Sequence, residues 1–294
     1  AHESFPVNPN NPPVKLDIVV PCYNEQDVLP ETARQLDALL AAMISMHKVA
    51  AESSILFVDD GSRDDTWALI RTEACKNPRV SGLRLSRNRG HQNAVLAGLM
   101  SADGDAVVTV DADLQDDIAV IETMVDEYRR GCDVVYGVRD DRSTDSAFKR
   151  TTAVCFYRML SFFGVELVHN HADFRLMSRR AVAALRQYRE TNLYLRGIVP
   201  LIGFRSTSVA YARKERFAGE SKYPLRKMLA LALEAITSFS VVPLQIISML
   251  GFTVFAGSMA ASVWVLWVAL FTERAVPGWA STVLPIMFLG GLQL

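Results

Sequence analysis

Two aspartates one residue apart, in Asp111-Ala112-Asp113-Leu114-Gln115, follow directly on a short apolar, β-branched run. Carboxylates at the end of a buried strand are costly unless they are paired or hold a metal. At a strand end, this spacing points both side chains to one side. A hard divalent cation, Mg²⁺ or Mn²⁺, takes such oxygen ligands and bridges phosphates as well, and Gln115 adds a third oxygen. A plainer use is open too, because Asp113 and Asp116 precede a helical pattern and suit its N-cap. Company decides between the two. Four other apolar runs end in polar residues: Pro21-Cys22-Tyr23-Asn24-Glu25, Asp59-Asp60-Gly61-Ser62, Ser86-Arg87-Asn88-Arg89-Gly90-His91 and Gly137-Val138-Arg139. Asp59 and Asp60 are placed for the base or ribose of a nucleoside, although Gly61 and Ser62 equally suit a turn. Arg87 and Arg89 lead into a helix N-terminus, the combination of cation and backbone N–H groups that attracts a phosphate. A solvated basic loop is the alternative there. Neither GxGxxG nor a GxxxxGK loop occurs in the sequence, so dinucleotide and P-loop chemistry have no support.

The elements that must carry these residues follow from patterning. Leu16–Pro21, Ile55–Asp59, Val80–Leu85, Ala106–Val110 and Val134–Val138 read as strands. Between them, Val28–Met46, Asp65–Lys76, Gln92–Ser101 and Asp117–Arg130 carry helical spacing. Such alternation predicts an α/β domain with a mostly parallel, Rossmann-like sheet and helices on both faces. Sheets of this kind bind ligands just beyond the carboxyl ends of their strands, which is where the polar residues lie.

The 294 residues carry 31 Lys and Arg against 32 Asp and Glu, a net charge of −1. This balance speaks against a nucleic-acid partner. The charges are unevenly spread: from Ala230 onward only Glu234, Glu273 and Arg274 are charged. A membrane span needs about 20 apolar residues, and Pro243–Phe271 supplies them, with Gly251, Gly257, Ser258, Ala260 and Ala261 as small residues for close helix packing. A second apolar run begins near Gly278 and is still apolar at Leu294, predicting a second, incomplete span. Before the first span, residues 224–240 have the spacing of an amphipathic interfacial helix, or of a surface helix packed on the domain. The expected layout is therefore a disordered Pro/Asn-rich leader over residues 1–14 and a catalytic domain over 15–223. The interfacial helix follows, then a membrane region over 241–294. No secretory signal pattern opens the chain. Basic residues crowd just before the first span, which places the domain in the cytoplasm by the positive-inside rule. Cys22, Cys75, Cys132 and Cys155 show no metal or redox spacing, which suits a reducing compartment.

Taken together, PCYNE, VDDGSRDDT, SRNRGHQNA, VDADLQDD and YGVRDDR resemble the catalytic domain of glycosyltransferase family 2, which has a GT-A fold. RSTDSAFKR, HADFRLMSRRAV and RKERFAGESKY, followed by apolar spans, resemble its polyprenyl-phosphate branch, most closely the bacterial bactoprenol glucosyltransferases. Those relatives continue past the second span into a basic tail that this sequence lacks, so the chain is expected to stop short of their length. The resemblance implies a nucleoside site at Pro21, Tyr23, Glu25, Asp59 and Asp60, and a metal and diphosphate site at Asp111, Asp113 and Gln115. It implies a lipid-phosphate site at Arg139, Lys149 and Arg150, with Arg216, Ser221 and Lys222 in a loop near acceptor and donor. Asp173 falls at the sugar end.

The implied reaction is inverting transfer of a hexose, glucose first among candidates, from a UDP-sugar to polyprenyl phosphate at the cytoplasmic face of a bacterial inner membrane. Mannose and aminoarabinose derivatives are the alternative sugars, and a homo-oligomer is compatible with this reading. Asp113 is the residue expected to matter most for catalysis, through the metal. The acceptor phosphate is already anionic, so Asp173 is expected to bind a sugar hydroxyl or orient Arg175 rather than act as a strong base. A processive polysaccharide synthase would carry a Gln-x-x-Arg-Trp segment, but Trp67 is the sole tryptophan before the apolar tail. A non-catalytic membrane receptor would need neither the paired aspartates nor the basic residues, and both are present.

Overall fold

The computed structural model describes residues 12–139, 171–188, 195–211, 242–271 and 278–292. Strands β1 (Leu16–Cys22), β2 (Ser54–Asp59), β3 (Val80–Arg84) and β4 (Ala106–Thr109) alternate with helices α1 (Leu29–Ser45), α2 (Thr66–Lys76) and α3 (His91–Ser101). Helix α4 (Val120–Arg129) and strand β5 (Val134–Arg139) follow. Then come β6 (His171–Ser178), α5 (Arg179–Leu185), α6 (Leu195–Leu201) and β7 (Ser206–Tyr211). The tail holds α7 (Val242–Phe271) and α8 (Trp279–Leu292).

One seven-stranded sheet runs in the order β3-β2-β1-β4-β6-β5-β7. β6 is antiparallel to both of its neighbours, while β1 pairs in parallel with β2 and β4, and β5 with β7. The sheet is thus mostly parallel, as the alternation predicts, with one reversed strand inserted. β1 and β4 are buried along their whole length, the expected state of strands covered by helices on both faces. Leu29, Ala33, Leu36, Leu40 and Met43 form the buried stripe of α1, spaced three and four apart as a core-facing helix requires. Val14, assigned above to the leader, belongs to the domain: it is 7% exposed and bridges to Val49.

From β1 the chain moves outward to β2 and β3, then returns to place β4 on the other side of β1. This reversal leaves a crevice at the carboxyl ends of β1 and β4. Helix α3 is held tightly against the sheet beside it. A Cβ added at Gly98 would lie 2.2 Å from Val19 Cγ1 and 3.0 Å from Val58 Cγ2. That close approach carries the first residue of α3, His91, to the crevice.

The tail forms a second compact unit, in which α7 and α8 pack on each other. The protected face of α7 runs through Gly251, Ser258, Ala261, Ser262 and Val265, while Gly257 and Ala260 lie on the exposed side. Within α7, Leu244–Phe271 is 28 residues long, with the length and apolarity to cross a membrane, and only 11% of its most apolar stretch is buried. A core helix of a water-soluble protein would be mostly covered. Helix α8, at 14 residues and with Pro285 inside it, is shorter than the roughly 20 residues a full span takes. Two spans were expected, and among the described residues one reaches that length. The segment expected to form an interfacial helix, 224–240, lies outside the described residues.

Candidate active site

A cleft of about 400 Å³ opens at the carboxyl ends of β1, β2 and β4. Its walls include Pro21, Tyr23 and Glu25 from β1 and the loop after it, Asp60 just after β2, Asn88 and Gly90 just before α3 with His91 at its start, and Asp111, Asp113 and Gln115 from the loop after β4. Asp173 of β6 and Arg196 of α6 complete it. Residues drawn from six separate stretches of sequence therefore meet in one place, four of those stretches lying at or just after the strand ends.

The loops are locked to each other by hydrogen bonds. Asn24 N–H donates to Ser62 Oγ at 3.0 Å, Glu25 N–H to Thr66 Oγ1 at 2.9 Å, and Arg63 N–H to Asn24 Oδ1 at 2.9 Å. Asp60 accepts the Arg89 and Gly90 N–H groups at 2.7 and 2.9 Å. The Arg89 and Gly90 amides just before α3 are thus engaged by a carboxylate, and the Arg87 and Arg89 side chains are exposed. Gly61, at φ +69°, lies so close to the next loop that a Cβ would be 2.7 Å from both Arg87 C and Asn88 N. Asp59 is fully buried, accepts the Ser62 N–H at 2.9 Å and has Arg84 Nε 3.2 Å from its other oxygen. It does not line the cleft. Asp60, its neighbour, does.

In the loop after β4, Leu114 has φ +55°, a conformation uncommon for a bulky side chain. The turn it makes lets Gln115 N–H donate to Asp113 Oδ1 at 3.1 Å. Thr32 Oγ1 of α1 donates to Ala112 O at 2.7 Å, fixing the loop from the helix side. Burial pushes the Asp111 carboxyl up to about 6; the His91 charge opposes this, while Asp116, Asp173 and Asp113 add to it. Crowded carboxylates of this kind fit a cation. Among the described residues no three His, Cys, Asp or Glu side chains form a metal cage. Asp111, Asp113 and Gln115 are the oxygen donors here that would hold a divalent ion.

Asp173 lies opposite. Its backbone carbonyl accepts the Thr109 hydroxyl from β4, and its carboxylate meets Arg175, Arg196 and His91. Burial opposes its charge, yet the hydrogen bond from His91 and the charges of Arg196 and Arg175 outweigh that and hold the carboxyl well below the usual range. For His91, removal from water likewise opposes the charged form, and the hydrogen bond to Asp173 with the charges of Asp111 and Asp173 raises its pKa above the ordinary value. His91 and Arg196 received no role from the sequence. His91 follows a strand-end loop and was open to the same reasoning as its neighbours. Arg196 gave a fainter signal, a lone cation in the apolar run Leu195–Leu201.

The backbone of Arg139 closes β5 and pairs with Tyr211 at the sheet edge that bears the cleft. Lys149, Arg150, Arg216, Ser221 and Lys222, the rest of the expected acceptor site, lie outside the described residues.

Residues 17–186 match the family model described as Glycosyl transferase family 2. The glycosyltransferase YkoT of Bacillus subtilis is 52% identical over 95% of this chain and 83% of its own length. A prophage bactoprenol glucosyl transferase homologue of Escherichia coli is 37% identical over 96% of this chain and 90% of its own. The bactoprenol glucosyl transferase of Shigella phage SfV is 38% identical with the same coverage. Among solved structures, a Pyrobaculum calidifontis mannosyltransferase in complex with GDP-Man and Mn²⁺ aligns over 95% of this chain and 81% of its own, with a TM-score of 0.51 and 18% identity. Glucosyl-3-phosphoglycerate synthase of Mycobacterium tuberculosis aligns over 76% and 79%, at 0.50 and 16%. Both have the same fold.

Proposed function

Because the chain belongs to glycosyltransferase family 2, we propose that it transfers glucose from UDP-glucose to a polyprenyl phosphate, inverting the anomeric configuration, at the cytoplasmic face of a bacterial inner membrane. The observation that carries this reading is the extent of the likeness to bactoprenol glucosyl transferases. It runs through 96% of the chain and so through both the cleft-bearing domain and most of the apolar tail. An acceptor with a hydrocarbon tail accounts for that pairing, since a water-soluble acceptor needs no apolar anchor beside the catalytic domain.

In the proposed reaction a phosphate oxygen of the lipid attacks the anomeric carbon, and the bond from that carbon to the nucleoside diphosphate breaks. A single displacement converts an α-linked donor into a β-linked lipid product. Asp111 and Asp113, with Gln115 beside them, would hold Mg²⁺ or Mn²⁺, which would supply Lewis-acid stabilisation of the leaving diphosphate. Pro21, Tyr23, Glu25 and Asp60 form the part of the cleft assigned to the nucleoside, with Asp59 behind Asp60 holding the turn. The acceptor oxygen is anionic near neutral pH, so no side chain has to remove a proton from it. Asp173, held ionised by its cationic neighbours, is a weak base and a good hydrogen-bond acceptor, and the sugar hydroxyls are its natural partners. Arg139, Lys149, Arg150, Arg216 and Lys222, with Ser221, are assigned to the acceptor phosphate, whose charge calls for charge-assisted hydrogen bonds.

The test is direct. Membranes containing the protein are incubated with undecaprenyl phosphate and, in turn, radiolabelled UDP-glucose, UDP-galactose, GDP-mannose and a UDP-aminoarabinose derivative. Label from UDP-glucose alone should move into the lipid fraction. Transfer from a different donor revises the sugar, and labelling that ignores added lipid removes the acceptor from the reading.

A further inference from the structure

The carboxylate of Asp173 is held from two sides. Arg175, fully buried, donates from Nη2 to Oδ1 at 2.8 Å, which pairs the buried charge and leaves Oδ2 to other partners. Arg196 adds a two-pronged grip from the cleft wall, Nε to Oδ1 at 3.1 Å and Nη2 to Oδ2 at 3.0 Å. The Arg196 side chain is 40% exposed against 9% for Asp173, so this second grip faces the space where substrate must sit. Its position is built in. Leu195, the residue before it, donates its N–H to Gln92 Oε1 of α3 at 3.0 Å and accepts Arg175 Nη1 on its carbonyl at 3.4 Å. Both backbone groups of the first residue of α6 are thus tied down by side chains of α3 and β6.

A carboxylate offers about four acceptor positions. Oδ1 is taken by Arg175 and Arg196. Oδ2 holds Arg196 firmly, while His91 Nε2 stands 3.4 Å from it and 3.5 Å from Asp111 Oδ1. The hydrogen bond to Asp173 is therefore a long one, and His91 is shared between two acids. The place on Oδ2 that His91 covers loosely is the one a ligand hydroxyl can take.

We propose that Arg196 is a positioning residue that acts through Asp173, clamping the carboxylate so that Oδ2 presents one fixed acceptor position to a hydroxyl of the donor's sugar. His91 guards that position in the absence of donor and gives it up when the sugar arrives. The proposal rests on the nucleotide-sugar transferase reading above. It goes beyond that reading by separating the sugar-holding device from the nucleotide-holding one: Asp173, Arg196 and His91 grip the sugar, and the loops after β1 and β2 grip the nucleoside.

A double-mutant cycle tests the clamp on the purified full chain in detergent with Mn²⁺, reading binding of UDP-glucose and of UDP by calorimetry and turnover with undecaprenyl phosphate. Arg196→Ala should weaken UDP-glucose binding about tenfold, the loss expected for a charged hydrogen-bonded contact, and leave UDP binding unchanged. Asp173→Asn should do the same. The double variant should be no worse than Asp173→Asn by more than about twofold, because coupled residues do not add. Arg196→Lys keeps the charge without the fork, and should recover part of the loss with an unchanged melting temperature. Multiplying losses in the double variant overturn the clamp, as does equal weakening of UDP and UDP-glucose. Wild-type protein that binds UDP-glucose but labels no lipid overturns the acceptor assignment and leaves the binding cycle readable. If it binds GDP-mannose instead, the cycle is read with GDP-mannose and GDP. Binding of none of these overturns both readings.

Discussion

Asp111 and Asp113 differ in what their neighbours ask of them. Asp111 is crowded by acids and shares His91 with Asp173, whereas Asp113 accepts an amide of its own turn and lines the cleft. Loss of the Asp113 carboxylate removes the proposed metal ligand without opening the core, so Asp113→Ala should cut transfer at least about a hundredfold, as loss of metal-borne charge stabilisation implies. The far-ultraviolet spectrum and membrane association should be unchanged, and excess EDTA should reproduce the effect in the wild type. Asp173 makes a prediction about stability. Its folded pKa lies well below the ordinary value, so its pairing contributes fully above the unfolded pKa of about 3.9. That contribution is lost as pH falls below this value towards the folded pKa. Asp173→Asn should therefore be clearly less stable than wild type at pH 7, and the gap should shrink progressively below about pH 4. Urea unfolding at a series of pH values measures it; a gap independent of pH contradicts the pairing.

At the scale of elements, the cleft depends on two loops that touch. Gly61 allows the turn after β2 to lie against Arg87 and Asn88, and Asp60 ties that turn to the start of α3. Gly61→Ala meets both a positive φ and a backbone collision, so it should destabilise the domain by about 1–3 kcal/mol, the range for overpacking. It should weaken UDP binding more than it changes turnover at saturating donor, which calorimetry and initial rates separate. β1 to β5 and α1 to α4 were legible because unbroken apolar runs alternate with helical spacing. β6 was not, because Asp173 and Arg175 interrupt its apolar pattern and their burial is decided by one another. β7 escaped for a different reason: as an edge strand, STSVAY keeps most of its residues partly exposed. The same logic divides the site. Asp60, Asp111, Asp113 and Gln115 sit at strand ends and could be read, whereas Arg196 reaches the cleft from a seven-residue helix that only tertiary contacts hold in place.

At the scale of the whole molecule, the basic residues before the apolar tail predict that protease added outside intact cells will not cut residues 16–213, whereas permeabilised cells will be cut. In the proposed reaction the lipid phosphate must meet the protein near the bilayer surface. Arg150→Ala and Arg216→Ala should therefore each raise the KM for undecaprenyl phosphate by about tenfold to a hundredfold with unchanged UDP binding. Loss of nucleotide binding instead would assign these cations to the donor. The long helix of the tail has a mechanical corollary. Its 28-residue span-length stretch extends about 42 Å at 1.5 Å per residue, against a hydrocarbon core of about 30 Å. In a bilayer such a helix is too long to stand upright with its apolar surface covered, so there it would lean, or thicken the lipid around it. In bilayers of increasing acyl-chain length it should straighten. An oriented-sample infrared measurement reads this as a falling angle to the membrane normal, making the tail a gauge of bilayer thickness.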